Sequence, residues 1–229
     1  MPIQQAKPVR ADFFTSLKTP VSFYIIRHGQ SEGNAAKILQ GREEYPLSET
    51  GRLQAAERGR SLKPVLSGSG KTLLFSSPMS RAMETAEIIA REASVSEPVC
   101  INELMEMSLG IWSGKSMNQV RNEEPDLWES FMTRSWDAIP EAEPSSSLYS
   151  RALLAWAALR DAAVEHNANK VIAITHGGLL QWLLKSSFGS RSWLPLFPSS
   201  NCGLYKLFAE PKKHGVYMCW EEINSPIPV

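Results

Sequence analysis

Two histidines, two arginines and two glutamates each stand just beyond a short apolar run of this chain. Arg27-His28-Gly29 follows 21–26, and Ser76-Ser77-Pro78 leading to Arg81 follows 72–75. Glu103 and Glu106 follow 98–101, and His176-Gly177-Gly178 follows 171–175. If those run ends are neighbours, basic groups gather at helix N-termini, with glycines allowing close backbone approach. That describes a site for a phosphate-like dianion. The side chains then define a chemistry. A neutral imidazole can attack phosphorus as a covalent nucleophile. Arginines supply paired donors to the phosphoryl oxygens that carry charge in the transition state. A protonated carboxyl can give its proton to the leaving oxygen and later take one from water. A metal centre is the competing use of His and Glu. It is disfavoured because Arg27 and Arg81 would sit beside the cation, and no His-x-x-x-His spacing is present.

For the ends to meet, the runs must be strands of one sheet. The stretches 21–26, 72–75, 98–101 and 171–174 are short and apolar, the mark of buried strands. Helical patterns lie between them. Ser48 caps one with Ala55, Gly59, Leu62 and Leu66 on a face; another follows Pro78 with Ala82, Ala86, Ile89 and Ala90. A third runs over about 147–166 with Leu148, Ala152, Trp156 and Leu159 inward, and a fourth opens at His176-Gly177-Gly178. Two alternating segments, 203–208 and 216–220, flank a turn signal at 211–215 and predict a hairpin. The alternation predicts an α/β fold: a three-layer α/β/α sandwich with a largely parallel central sheet, helices on both faces and a small helical insertion. Ligands of such sheets bind beyond the carboxyl ends of the strands, where the six residues stand. Residues 1–20, with three prolines and little periodicity, read as an arm, and 21–229 as a single domain. Within that domain 115–146 is an acidic insertion. Its Trp128, Phe131 and Trp136 suit either packing or a lid that shapes the leaving-group pocket, which is expected to be built from 107–146.

The 229 residues carry 24 Lys+Arg and 24 Asp+Glu, a formal net charge of zero. This argues against a nucleic-acid or anionic-membrane partner, either of which calls for excess Lys and Arg. Cys100, Cys202 and Cys219 are odd in number and far apart, and read as free thiols in a reducing compartment. No apolar run approaches the ~18 residues of a membrane span, and the first fourteen residues lack the apolar core of a signal peptide. A soluble cytoplasmic protein, without metal or cofactor, is expected. His166 at a helix end and His214 in a hairpin turn read as surface residues. The segment 67–72 imitates the end of a P-loop, but position 65 is Val65 and the loop precedes a strand; it reads as a turn.

Four blocks together carry a family resemblance: Arg27-His28-Gly29 with Asn34, Ser76-Ser77-Pro78 with Arg81-Ala82 and Thr85-Ala86, Leu104-Met105-Glu106 leading to Gly110-Ile111-Trp112-Ser113-Gly114, and Thr175-His176-Gly177-Gly178. In that order, each after a predicted strand, they resemble the histidine phosphatase superfamily, also called phosphoglycerate mutase-like, over about residues 21–224. The resemblance implies that His28 is the nucleophile that becomes phosphohistidine. It implies a phosphate pocket of Arg27, Arg81 and His176, with Asn34 and Gly177 contacting the same group. Glu106, eight residues before Gly114, is the implied proton donor, with Glu103 as the nearby alternative.

The pattern is departed from in two places. A Gly-Glu-Ser-like element is replaced by Ser145-Ser146-Ser147, which removes any acid-positioning role of that glutamate, and Trp-Glu-Gly becomes Trp112-Ser113-Gly114. A metal-independent phosphomonoesterase acting on a small phosphorylated substrate is the leading expectation. The alternative within enzymes is a phosphoglycerate mutase, which resembles this chain in its first half-reaction. Mutases usually carry Arg directly after the acid, where this chain has Met107, and a tandem Arg that is half present as Arg134. A binding module of the same fold without turnover is the third reading. Catalysis with Glu106 protonated and His28 neutral implies a bell-shaped pH profile with an acidic to neutral optimum.

Overall fold

The computed structural model describes residue 9 and residues 11–227. The strands are β1 (Val21–Arg27), β2 (Lys71–Ser76), β3 (Val99–Cys100), β4 (Ala168–Thr175), β5 (Leu204–Lys212) and β6 (Gly215–Ser225). They form one sheet in the order β3-β2-β4-β1-β5-β6. β3, β2, β4 and β1 run parallel, whereas β5 and β6 are the expected hairpin, joined antiparallel to β1. The helices are α1 (Glu32–Ala35), α2 (Glu49–Leu66), α3 (Ser80–Ala93), α4 (Met117–Glu123), α5 (Pro125–Thr133), α6 (Ser145–Glu165) and α7 (Gly177–Ser187).

Period-two alternation sorts the strand side chains onto two faces. Phe23, Ile25, Val171 and Ala173 join one core with Trp156 and Leu159 of α6 and Leu180 and Leu183 of α7. Tyr24, Ile26, Ile172 and Ile174 join the other with Leu62 and Leu66 of α2 and Ala82, Ala86 and Ile89 of α3. The expected three-layer α/β/α sandwich follows, with its largely parallel sheet. The chain leaves β1 toward α2 on one face and β4 toward α7 on the other. The crevice beyond the ends of these adjacent strands is therefore a topological switch point. The His28 N–H donates to the Thr175 carbonyl at 2.9 Å and ties the two ends together.

One expectation needs correction, and of two alternatives one is favoured. The first eight positions and position 10 lie outside the described residues, but three apolar residues of the expected arm belong to the core. Val9, Phe14 and Leu17 are buried, and the Phe14 ring lies 5.4 Å from Phe23 and 6.1 Å from Trp156. Prolines broke the periodicity there, yet single apolar anchors suffice to seat a segment without regular structure. The insertion, in turn, packs and does not cover the site. Trp136 is buried, and Phe131 stands 5.4 Å from Trp112, 6.0 Å from Trp136 and 5.7 Å from Trp193. Aromatic area buried against aromatic area explains those residues without a lid.

Candidate active site

β1 ends on Arg27, and His28 follows in extended chain that hydrogen bonds hold from several directions. The Gly29 N–H donates to Thr85 Oγ1 at 3.1 Å, and Asn201 Nδ2 donates to the His28 carbonyl at 3.2 Å. Gly29 is required where it stands, since a Cβ there would lie 2.5 Å from the Gly51 carbonyl oxygen. The His28 ring is almost wholly buried. Its Nδ1 lies 2.6 Å from the Gly29 carbonyl oxygen. A carbonyl can only accept, so the ring proton sits on Nδ1 and Nε2 keeps its lone pair. Burial, reinforced by the charges of Arg27 and Arg81, holds the His28 pKa well below the ordinary imidazole value. The neutral, nucleophilic form is the one present at neutral pH.

Arg27 and Arg81 reach the same place from β1 and α3. Each anchors its terminal nitrogens on backbone carbonyls: Arg27 Nη1 on Ser199 at 2.5 Å, Arg81 Nη1 on Glu43 and Nη2 on Gly41, both at 2.8 Å. Each leaves a buried Nε without a partner. His176, which follows β4, has its ring 5.1 Å from that of His28. Its Nε2 lies 2.8 Å from Ser77 Oγ, while its Nδ1 is buried and unpartnered. Ser77 Oγ also accepts the Met79 N–H at 3.3 Å, which fixes the hydroxyl that the His176 ring meets. Burial and the neighbouring His28 and arginine charges hold the His176 pKa well below its ordinary value. Two buried guanidinium donors and one buried ring nitrogen thus lack partners, a costly condition that an anion among them relieves.

Glu106 completes the cluster from the loop after β3. Its Oε1 accepts the N–H groups of Met107 at 2.8 Å and Leu179 at 3.0 Å, and its Oε2 accepts that of Gly178 at 3.0 Å. These three bonds fix the carboxyl group over the first turn of α7. Gly178 makes this possible, since a Cβ there would lie 2.5 Å from Glu106 Oε1. Arg27, His28, Asn34, Arg81, Glu106 and Gly177 all line one cavity of about 210 Å³. Glu103 does not; it borders a separate surface depression with Asn102 and Ser147. His166 and His214 are exposed, as expected. Cys100, Cys202 and Cys219 are unpaired. Among the described residues no group of three His, Cys, Asp or Glu is placed to hold a metal ion, and no helix is long and apolar enough to cross a membrane.

The rest of the cavity wall differs from expectation. Met107 and Leu109 come from the expected segment, but the remainder is Ile38, Leu39, Gln40, Gly41, Gly178 and Ser199; no residue of 115–146 contributes. A loop before the first long helix carries no periodic signal, so its return over the strand ends was not legible. Sequence reasoning also missed a brace under the acid loop. Arg151 of α6 donates through Nη1 to the carbonyls of Glu103 and Met105, and holds Glu143 with Nε at 2.9 Å and Nη2 at 2.8 Å. Arg42 donates to the Glu106 carbonyl at 3.1 Å and to Glu143 at 2.9 Å. The carboxylate absent from 145–147 is thus supplied at Glu143. The available signal was an arginine bordering the apolar stripe of a long helix.

The chain is similar to known proteins over most of its length. The chain is 27% identical over 186 residues to phosphoglycerate mutase-like protein 4 of Arabidopsis thaliana, covering 80% of this chain and 78% of that one. It is 32% identical over 163 residues to the metal-independent phosphoserine phosphatase of the same plant, covering 69% and 64%. Its fold matches that of a mycobacterial glucosyl-3-phosphoglycerate phosphatase with a TM-score of 0.76 at 22% identity, over 90% and 99% of the two chains. The model of the histidine phosphatase superfamily (branch 1) matches residues 23–220, from the first strand to the last, and the chain belongs to that superfamily.

Proposed function

We propose that the protein is a metal-independent phosphomonoester hydrolase that works through a phosphohistidine on His28. The observation that carries this reading is the trio of buried, unpartnered nitrogens, Arg27 Nε, Arg81 Nε and His176 Nδ1, beside an imidazole held neutral with Nε2 free. The three nitrogens hold the phosphoryl oxygens, with Asn34 and Gly177 bordering the same group. His28 Nε2 attacks phosphorus in line as the ester P–O bond breaks. Glu106, protonated at the outset, gives its proton to the departing alcohol oxygen. The resulting carboxylate then takes a proton from water, the hydroxide forms the new P–O bond, and the P–N bond breaks to release phosphate and neutral His28. Each turnover thus ends with Glu106 protonated again.

The relatives include proteins named for both phosphatase and mutase activities. Hydrolysis is favoured here because the position after the acid is the apolar Met107, buried in the cavity wall. Arg134 lies elsewhere, beside Asp126, Glu129 and Thr133. The test is hydrolysis of an aryl phosphate with a chelator present, by the wild type and His28→Ala. The expected result is turnover by the wild type alone. Loss on chelation, or persistence in the variant, contradicts the proposal. Interconversion of phosphoglycerates primed by bisphosphoglycerate, faster than phosphate release, would assign the mutase reaction instead.

A further inference from the structure

Resting on the hydrolase reading, we infer that the released alcohol is uncharged and largely apolar, a short alkyl or aryl group carrying neither a carboxylate nor a second phosphate. The cavity is lined by Arg27, His28, Arg81 and Glu106 and by the apolar Ile38, Leu39, Met107 and Leu109, with the uncharged polar Asn34, Gln40 and Ser199 among them. Apart from Arg27 and Arg81, no residue lining the cavity is cationic, and both of these serve the phosphoryl group. A second anionic group on the substrate would therefore find uncharged amide and hydroxyl groups but no cation in the lining, which is unfavourable for a desolvated charge.

The rim makes the same discrimination. Glu43 and Glu44 stand on the loop that passes Arg81, and Glu44 accepts from both the N–H and the hydroxyl of Ser80, one residue from that arginine. Their charges repel an anionic leaving group approaching from outside. Of the neighbouring cations, Arg42 is engaged with the Glu106 carbonyl and Glu143, and Lys115 with Glu124 at 2.6 Å. Size points the same way, because about 210 Å³ lies below the roughly 300–1,000 Å³ of clefts that enclose larger organic ligands. A compact apolar alcohol fills the wall it meets.

The experiment compares esters with matched primary leaving groups. The kcat/KM for n-butyl phosphate is measured against 3-phosphoglycerate and O-phosphoserine. Binding of butylphosphonate is measured against 4-phosphonobutyrate by calorimetry, which reads the wall without needing turnover. The neutral member of each pair is expected to win by at least about tenfold. Leu39→Arg, and separately Ile38→Arg, supplies a cation at the wall and is expected to shift the ratio at least about tenfold toward the carboxylated compound. Equal or better binding of 4-phosphonobutyrate, or equal or better turnover of the carboxylated esters, overturns the inference and leaves the hydrolase reading standing. Absence of turnover for every ester, with butylphosphonate still preferred, fails the hydrolase reading and not the apolar wall.

Discussion

The roles of the two central residues separate on leaving-group chemistry. A general acid matters most when the departing oxygen is a poor leaving group and little when it is a good one. Glu106→Gln is therefore expected to lower kcat/KM for an alkyl phosphate by roughly a hundredfold or more, and for a nitrophenyl phosphate by less than about tenfold. Equal losses on both esters contradict the assignment. The buried imidazoles set the pH response. Because the His28 pKa lies well below the ordinary value, the acidic limb of kcat/KM falls below about pH 6.5, the midpoint of an ordinary histidine; a midpoint at or above that value contradicts the burial argument. Stability follows the opposite constraint. Below about pH 6.5 the unfolded chain binds protons that buried His28 and His176 refuse, so stability falls as pH drops, by up to about 1.4 kcal/mol per pH unit for each ring. Denaturant unfolding at pH 7.5 and 5.5 measures this, and His28→Ala should reduce the difference.

At the scale of elements, the acid loop has no regular structure of its own and depends on α6 for its shape. The side chains of Arg151 and Glu143 are 14% and 13% exposed, so their contact is more than a solvated surface pair. Arg151→Met is expected to lower kcat/KM for an alkyl phosphate by about tenfold to a hundredfold, with a smaller loss on a nitrophenyl ester, while inhibition by inorganic phosphate stays within about twofold. Arg151→Lys should not rescue it, because an ammonium cannot span two carbonyls and a carboxylate at once. Uniform loss on both esters would mark Arg151 as merely structural. The brace also shows what sequence could and could not convey. His28, Arg81, Glu106 and His176 were legible because each lies in the loop or the first helical turn after a short, continuous apolar run. Arg151 was not, since its carbonyl partners lie more than forty residues upstream, and neither was the wall at 38–41, whose chain has no period at all.

Across the whole molecule, the two cores on either face of the sheet hold the strand ends in register, and the N-terminal segment belongs to one of them. Phe14 fills the space between Phe23 and Trp156. Phe14→Ala is expected to cost about 3–5 kcal/mol of stability, read by denaturant unfolding, with kcat/KM nearly unchanged at a temperature where the variant stays folded. Less than about 1 kcal/mol would return the segment to the status of a loose arm. The aromatic cluster of the insertion works likewise, packing α5 against the core. The whole then serves one step, transfer of a phosphoryl group to a single nitrogen. The most direct measurement is rapid quenching of the enzyme with isotopically labelled aryl phosphate, followed by mapping of the label. The account expects an acid-labile, alkali-stable adduct on His28, formed and consumed at least as fast as turnover. Turnover with no label on the protein, or with the label on another residue, would contradict it.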